Sequence, residues 1–180
     1  MKIILVHPEP MPCIRNRAVF QRPLMFSENS RLTIISMVCN KICHDISKGA
    51  FKVVYLNGGR RWKLELILWL YRNRSENINS IIYAFPQWGF ISLYLAKKLG
   101  YKVVVDMQHT PYYYYYYNLI TPLPIFKKFV YKVYGAVFFI VAKLILKKYD
   151  LVVAMAHSSN TGFAKILHEN FYVPFEKIYA

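Results

Sequence analysis

"INSIIYAFPQWGFISLYLAKKLGYKVVVDMQH", residues 78 to 109, decides the fold class. Two of its segments, "SIIYAF" (80–85) and "KVVVDM" (102–107), are nearly continuous apolar runs rich in β-branched and aromatic residues. Runs of that length read as strands, and their lack of apolar–polar alternation indicates burial on both faces, as in a parallel sheet covered by helices. Between them "QWGFISLYLAKKLG" (87–100) reads as a helix that stops at Gly100, the residue type that most readily takes the conformation closing a helix.

The same alternation extends in both directions. "KIILVH" (2–7), "LTIISMV" (32–38), "FKVVYLN" (51–57) and "DLVVAM" (150–155) read as further strands, and the terminal "KIYA" as one more. Helices are expected from Pro23, which suits a first helical turn, to about Asn29, then over 60–74, 124–148 and 158–170. In the 60–74 segment Trp62, Leu66, Trp69 and Leu70 fall at i, i+4, i+7 and i+8, one helical face. Ser158 or Ser159 can cap the last helix. Strand and helix in strict turn predict an α/β, Rossmann-like, doubly wound parallel sheet, with residues 1–180 forming one domain and no internal repeat or linker.

Bulk composition narrows the partners. The chain has 180 residues, 56% of them hydrophobic, and a formal net charge of +15. Lys and Arg are interleaved with Phe, Tyr, Leu and Ile rather than gathered in polar arms. That suits a protein lying against anionic lipid better than a nucleic-acid binder, so no nucleic acid is expected as partner. Three cysteines make no disulfide framework. Cys39 and Cys43, in "CNKIC" before His44, have a spacing open to zinc, but no second pair accompanies them, and no metal or cofactor is expected. "MKIILVHPEP" is too short in apolar residues for a signal peptide, which points to the cytosol. The longest apolar stretch, "VYGAVFFIVA" (133–142), is bounded by Lys132 and Lys143 and falls short of the roughly 20 residues of a membrane span.

In a doubly wound sheet, ligands bind beyond the carboxyl ends of the strands. The residues just past each predicted strand are therefore the candidates. His7 ends the first strand, and Arg15 and Arg17 follow it, placed to offer charge to a diphosphate. Gln87 and Trp88 follow the fourth. Asp106, Gln108 and His109 end the fifth, and Ser158 follows the sixth. His109 is the candidate catalytic residue, since a neutral imidazole there can hydrogen-bond an acceptor hydroxyl or a sugar hydroxyl, with Asp106 orienting it. Tyr112 opens an unbroken run of six tyrosines to Tyr117, at the expected lip of the cleft. "NGG" (57–59) reads as a plain turn, without the glycine spacing of a dinucleotide site.

Three segments, taken in order, resemble the N-terminal domain of the two-domain retaining glycosyltransferases known as family 4, or group 1. They are "MKIILVHPEP" with "FQRPLMFSENSRLTIIS", the stretch 78–109, and "KKYDLVVAMAHSSNTGFAKILHENFYVPFEKIYA". In the last, an Asp-led strand at Asp150, a serine-bearing turn at Ser158, a helix, and Val173, Pro174, Glu176, Lys177 and Ile178 follow the family's pattern. The resemblance implies two Rossmann-like domains facing one another, the N-terminal one holding the acceptor and the C-terminal one most of a nucleotide-diphosphate sugar, with sugar transfer to a hydroxyl and retention at the anomeric carbon. This chain would then be the acceptor-side half, needing a donor domain in cis or in trans and inactive without it. The donor-side pair of glutamates has no counterpart here. Two departures stand out: "PMPCIRNR" replaces the family's Gly-Gly loop, and the histidine after Asp106 is displaced by one residue to His109.

Over 124–148, Lys128, Lys132, Lys143 and Lys147 fall within about 100° of one another on a helix, among Phe126, Phe129, Tyr131, Phe138 and Phe139. A basic stripe with aromatic flanks suits an interfacial helix on an anionic membrane surface. The expectation is a peripheral protein on the cytoplasmic face of the membrane, with a lipid-linked or membrane-proximal acceptor. Rival readings are a membrane-associating non-catalytic subunit that pairs with a separate donor-binding subunit, a basic nucleic-acid-binding α/β domain, and another nucleotide-sugar enzyme such as an epimerase.

Overall fold

The structure is a computed structural model that describes residues 1–6, 31–37, 51–56, 61–85, 89–107, 122–154 and 161–179. Seven strands are described: β1 (Lys2–Val6), β2 (Arg31–Met37), β3 (Phe51–Leu56), β4 (Ile81–Ala84), β5 (Lys102–Met107), β6 (Leu151–Ala154) and β7 (Ile178–Tyr179). Five α-helices accompany them: α1 (Trp62–Arg72), the single turn α2 (Arg74–Asn77), α3 (Phe90–Lys98), α4 (Ile125–Ile145) and α5 (Thr161–Phe171). Each strand read from the sequence is present to within a residue or so at either end. The helix expected from Pro23 lies outside the described residues.

The strands hydrogen-bond in the order β3-β2-β1-β4-β5-β6-β7. The β1–β2, β1–β4, β2–β3 and β6–β7 pairings are parallel. This is the α/β, Rossmann-like architecture expected. The chain builds outward from β1 to β3, then returns to the other side of β1 with β4, so the order reverses between β1 and β4. The chain also divides into two compact units, Met1–Val104 and Val105–Ala180, with the division inside β5.

In the first unit, Ile3, Leu5, Leu32 and Ile34 form a buried cluster with Val53 and Tyr83 packed against it. All four residues Ile3 to Val6 are buried, as an uninterrupted apolar run in a central strand should be. Helix α1 buries Trp62, Leu66 and Leu70, three of the four residues aligned by the sequence, while Trp69 is half-buried. Asn73 closes α1 by donating both its backbone N–H and its Nδ2 to the Trp69 carbonyl, at 3.0 and 2.8 Å. Helix α3 ends as the sequence predicts. Gly100 has φ +98°, its N–H donates to the Lys97 carbonyl (2.9 Å), and the Tyr101 N–H reaches back to that of Ala96 (3.2 Å), the paired bonds of a Schellman closure. The Tyr101 side chain then runs into the core, where its hydroxyl donates to the Leu70 carbonyl at 2.8 Å.

In the second unit, α4 starts after Pro124, whose carbonyl accepts from the Lys128 N–H at 3.0 Å. It continues into a 3-10 turn, Leu146–Lys148. Its buried residues Gly135, Phe138 and Ala142, with Leu146 beyond, recur at helical spacing, and Phe139 meets Phe171 of α5 edge-on at 5.1 Å. The sequence count stopped the apolar run at Lys132 and Lys143. The helix instead passes through both lysines and, by length and composition, reaches what a membrane span requires. Its buried face is nevertheless committed to the protein interior.

Candidate functional site

The reversal between β1 and β4 fixes where a ligand crevice belongs in this sheet class, beyond the carboxyl ends of those two strands. Their register pairs Val6 with Ala84 at that edge. Both are buried, as is Phe85 next to Ala84, whose ring stands edge-on to Tyr83 at 6.3 Å. The floor of the crevice in the first unit is therefore apolar. Its polar wall would come from the segments that leave the strands. His7, Arg15, Arg17, Gln87 and Trp88, which the sequence places there, lie outside the described residues, as do the 57–59 turn and Cys39, Cys43 and His44. Helix α3 takes up again at the carboxyl side of β4, with the Gly89 carbonyl accepting from the Leu93 N–H at 2.9 Å.

In the second unit, Asp106 is the one candidate crevice residue that is described. It sits at the carboxyl end of β5 between Val105 and Met107 and is 1% exposed. Its carboxyl group is thus withdrawn from the surface, where an ionised carboxylate is costly without polar partners. Gln108, His109, Tyr112 and Ser158 fall outside the described residues. Lys128 and Lys132 are exposed on α4, while Lys143 and Lys147 stand over the Tyr172 ring, 5.0 and 5.8 Å from its centroid. Tyr172 itself has φ 54° just past α5.

Two hollows were not anticipated. In the first unit a cavity of about 330 Å³ lies at the amino ends of β1, β2 and β3, between Lys2, Arg31 and Lys52 and the end of α1. Lys2 Nζ donates to the Glu76 carbonyl (3.0 Å) and Asn77 Nδ2 to that of Asn73 (3.0 Å), so its polar groups serve largely to satisfy the helix ends. The Ser80 hydroxyl, fully buried, also lines it. A basic residue at or near the head of three neighbouring strands was the available signal. In the second unit an open hollow is formed by His168, Glu169, Tyr172, Pro174, Phe175 and Glu176. There His168 stacks on Phe175 at 3.8 Å, and its Nδ1 lies 3.0 Å from the Val173 carbonyl, fastening the "VPFEK" stretch to α5.

The fold is shared with glycosyltransferases. A glycosyltransferase from Rickettsia africae superimposes with a TM-score of 0.54 at 17% identity, over 98% of this chain and 41% of that one. The E. coli trehalose-6-phosphate structure bound with UDP-2-fluoro glucose gives 0.52 at 11% identity, over 93% and 42%. At such identities the likeness is one of fold. The chain spans about two fifths of the length of these structures. No protein-family model and no curated protein matches the sequence.

Proposed function

We propose that the chain is the acceptor-side half of a glycosyltransferase that moves a sugar from a nucleotide-diphosphate sugar to an acceptor hydroxyl. The observation that carries this reading is the superposition of nearly the whole chain on two fifths of a glycosyltransferase. The reversal of strand order at β1 and β4 adds a crevice of the right kind. In the reaction the bond from the anomeric carbon to the diphosphate oxygen breaks, one to the acceptor oxygen forms, the hydroxyl proton is released, and a nucleoside diphosphate leaves. His109, two residues past β5, hydrogen-bonds the reacting hydroxyl, and buried Asp106 helps set its position. Arg15 and Arg17 offset the charge of the departing diphosphate. His7, Gln87, Trp88, Gln108, Tyr112 and Ser158 supply the polar and aromatic walls for acceptor and donor.

The test pairs the chain with a donor half. Coding DNA beyond Ala180, in frame, frame-shifted or in an adjacent gene, identifies that half. Transfer of labelled sugar should require both halves and fall about a hundredfold to ten-thousandfold in His109→Ala. Transfer by the 180 residues alone would overturn the division of labour, and no transfer by the pair would overturn the enzyme reading. A second reading, a non-catalytic subunit beside a separate donor-binding protein, draws on the same two-fifths span. It predicts a pair whose activity is indifferent to His109→Ala.

A further inference from the structure

Helix α4 carries two apolar faces. One, formed by Gly135, Phe138, Ala142 and Leu146, is buried. The other is bare. Phe126, Phe129, Val130, Val133, Val137, Ile140 and Leu144 are all exposed, Phe126 at 76% and Phe129 at 65%. At 100° per residue these seven fall within an arc of about 100°, nearly opposite the buried face, in a stripe about 27 Å long. An ordinary surface helix has polar residues there.

The charges along the stripe say what covers it. Residues 125–148 hold six lysines, Lys127, Lys128, Lys132, Lys143, Lys147 and Lys148, and no acidic residue. Lys143 and Lys147 follow one shoulder of the stripe with Lys132 a little further round, Lys127 and Lys148 lie toward the other, and Lys128 stands about 150° from the stripe's centre. The Tyr172 ring holds Lys143 and Lys147 at their shoulder. A second copy of the chain would bring the same positive charges against these. A surface that is apolar beneath and negative above satisfies both features at once, and lysine stems can lie along the apolar layer with their ammonium groups at its edge.

We infer that α4 docks the protein on an anionic lipid bilayer, lying in the plane of one leaflet with the Phe126–Leu144 stripe sunk about 5–10 Å into the headgroup–acyl boundary. From Gly135 onward the buried face keeps the helix in the protein, while residues 125–134 are exposed on every side, and on this reading the helix rests on the membrane without crossing it. This inference stands independently of the glycosyltransferase reading. Where both hold, the acceptor is a hydroxyl carried by a lipid or held close to one.

Co-sedimentation with phosphatidylcholine vesicles, with and without phosphatidylglycerol, tests it. The 180-residue chain should pellet with the mixed vesicles, and pure phosphatidylcholine should bind it far more weakly. Phe126→Ser with Phe129→Ser should weaken binding at least about tenfold. Lys132→Gln and Lys147→Gln should each weaken it about fivefold. Circular dichroism should be unchanged in all, because these side chains are exposed. No pelleting with mixed vesicles, binding untouched by the serine pair, or self-association through the stripe without lipid uptake would each overturn the proposal. None of these results bears on sugar transfer by the paired halves, so the two readings can fail separately.

Discussion

Helices α1 and α4 both bury one apolar face, yet their outward faces differ in kind. Helix α1 buries Trp62, Leu66 and Leu70 and leaves Leu64, Leu68 and Tyr71 exposed. Those three are interspersed with charges of both signs, Lys63, Glu65 and Arg72. Helix α4 buries Gly135, Phe138 and Ala142 and exposes ten large apolar side chains, seven of them in one stripe, with lysine as its only charged residue. A buried face reports what a helix contributes to the fold, and the opposite face reports what it meets outside. The inward faces should therefore behave alike under mutation. Leu66→Ala in α1 should cost about 2–5 kcal/mol and Phe138→Ala in α4 about 3–5 kcal/mol, read from urea unfolding. A cost below 1 kcal/mol for Phe138→Ala would mean that the inner face of α4 is not core, and the comparison would break.

The ends of helices sharpen the contrast at the next level. Helix α3 closes on Gly100 at φ +98°, where any other residue is strained, and an added Cβ would sit 3.0 Å from Ile78 Cδ1. Gly100→Ala should lower stability by about 1–2 kcal/mol for the left-handed backbone alone, with the contact to Ile78 adding to it. Helix α4 has no such device and runs into a 3-10 turn, so no single residue there should be as sensitive to a Cβ.

The strands were legible because each is a short apolar run whose neighbours are polar, and Gly100 because a left-handed closure admits few other residues. The core face of α1 was legible from periodicity, since only one of its faces is strongly apolar. Helix α4 was harder. With apolar residues nearly all round, its period does not tell the inner stripe from the outer, and Phe138 and Phe139 stood beside Phe126 and Phe129 as equals. Only burial separates them. The crevice could be located from strand ends, but its side chains come from loops, where local sequence does not fix the path of the chain.

Buried tyrosines give a smaller effect, one beside each helix. The Tyr101 hydroxyl, bonded to Leu70 of α1, has its pKa raised by burial, with the Arg74 charge pulling the other way. Tyr149, fully buried just after the α4 segment, is raised further by burial alone. Both groups stay protonated in the folded chain at pH values where the unfolded chain, with tyrosine near 10, has begun to ionise. The folded state then holds more protons, so stability is intact below about pH 10 and falls above it by up to about 1.4 kcal/mol per pH unit for each tyrosine. Tyr149→Phe should flatten that alkaline decline more than Tyr101→Phe, as followed by urea midpoints across the range. Equal slopes in both variants would place the two side chains in equivalent surroundings.

The smallest change in stability carries the sharpest comparison. Leu68→Ser on α1 and Phe129→Ser on α4 both replace an exposed apolar residue on the outward face, and neither opens a cavity. Each should shift unfolding free energy by no more than about 0.5 kcal/mol, as surface substitutions do. Their effects part only when lipid is offered. Leu68 lies among charges of both signs, so its loss should leave vesicle binding as it was, whereas Phe129 belongs to the α4 stripe and its loss should weaken binding. If both substitutions weakened binding equally, lipid would be meeting general surface hydrophobicity. If Phe129→Ser alone did, the meeting place is α4.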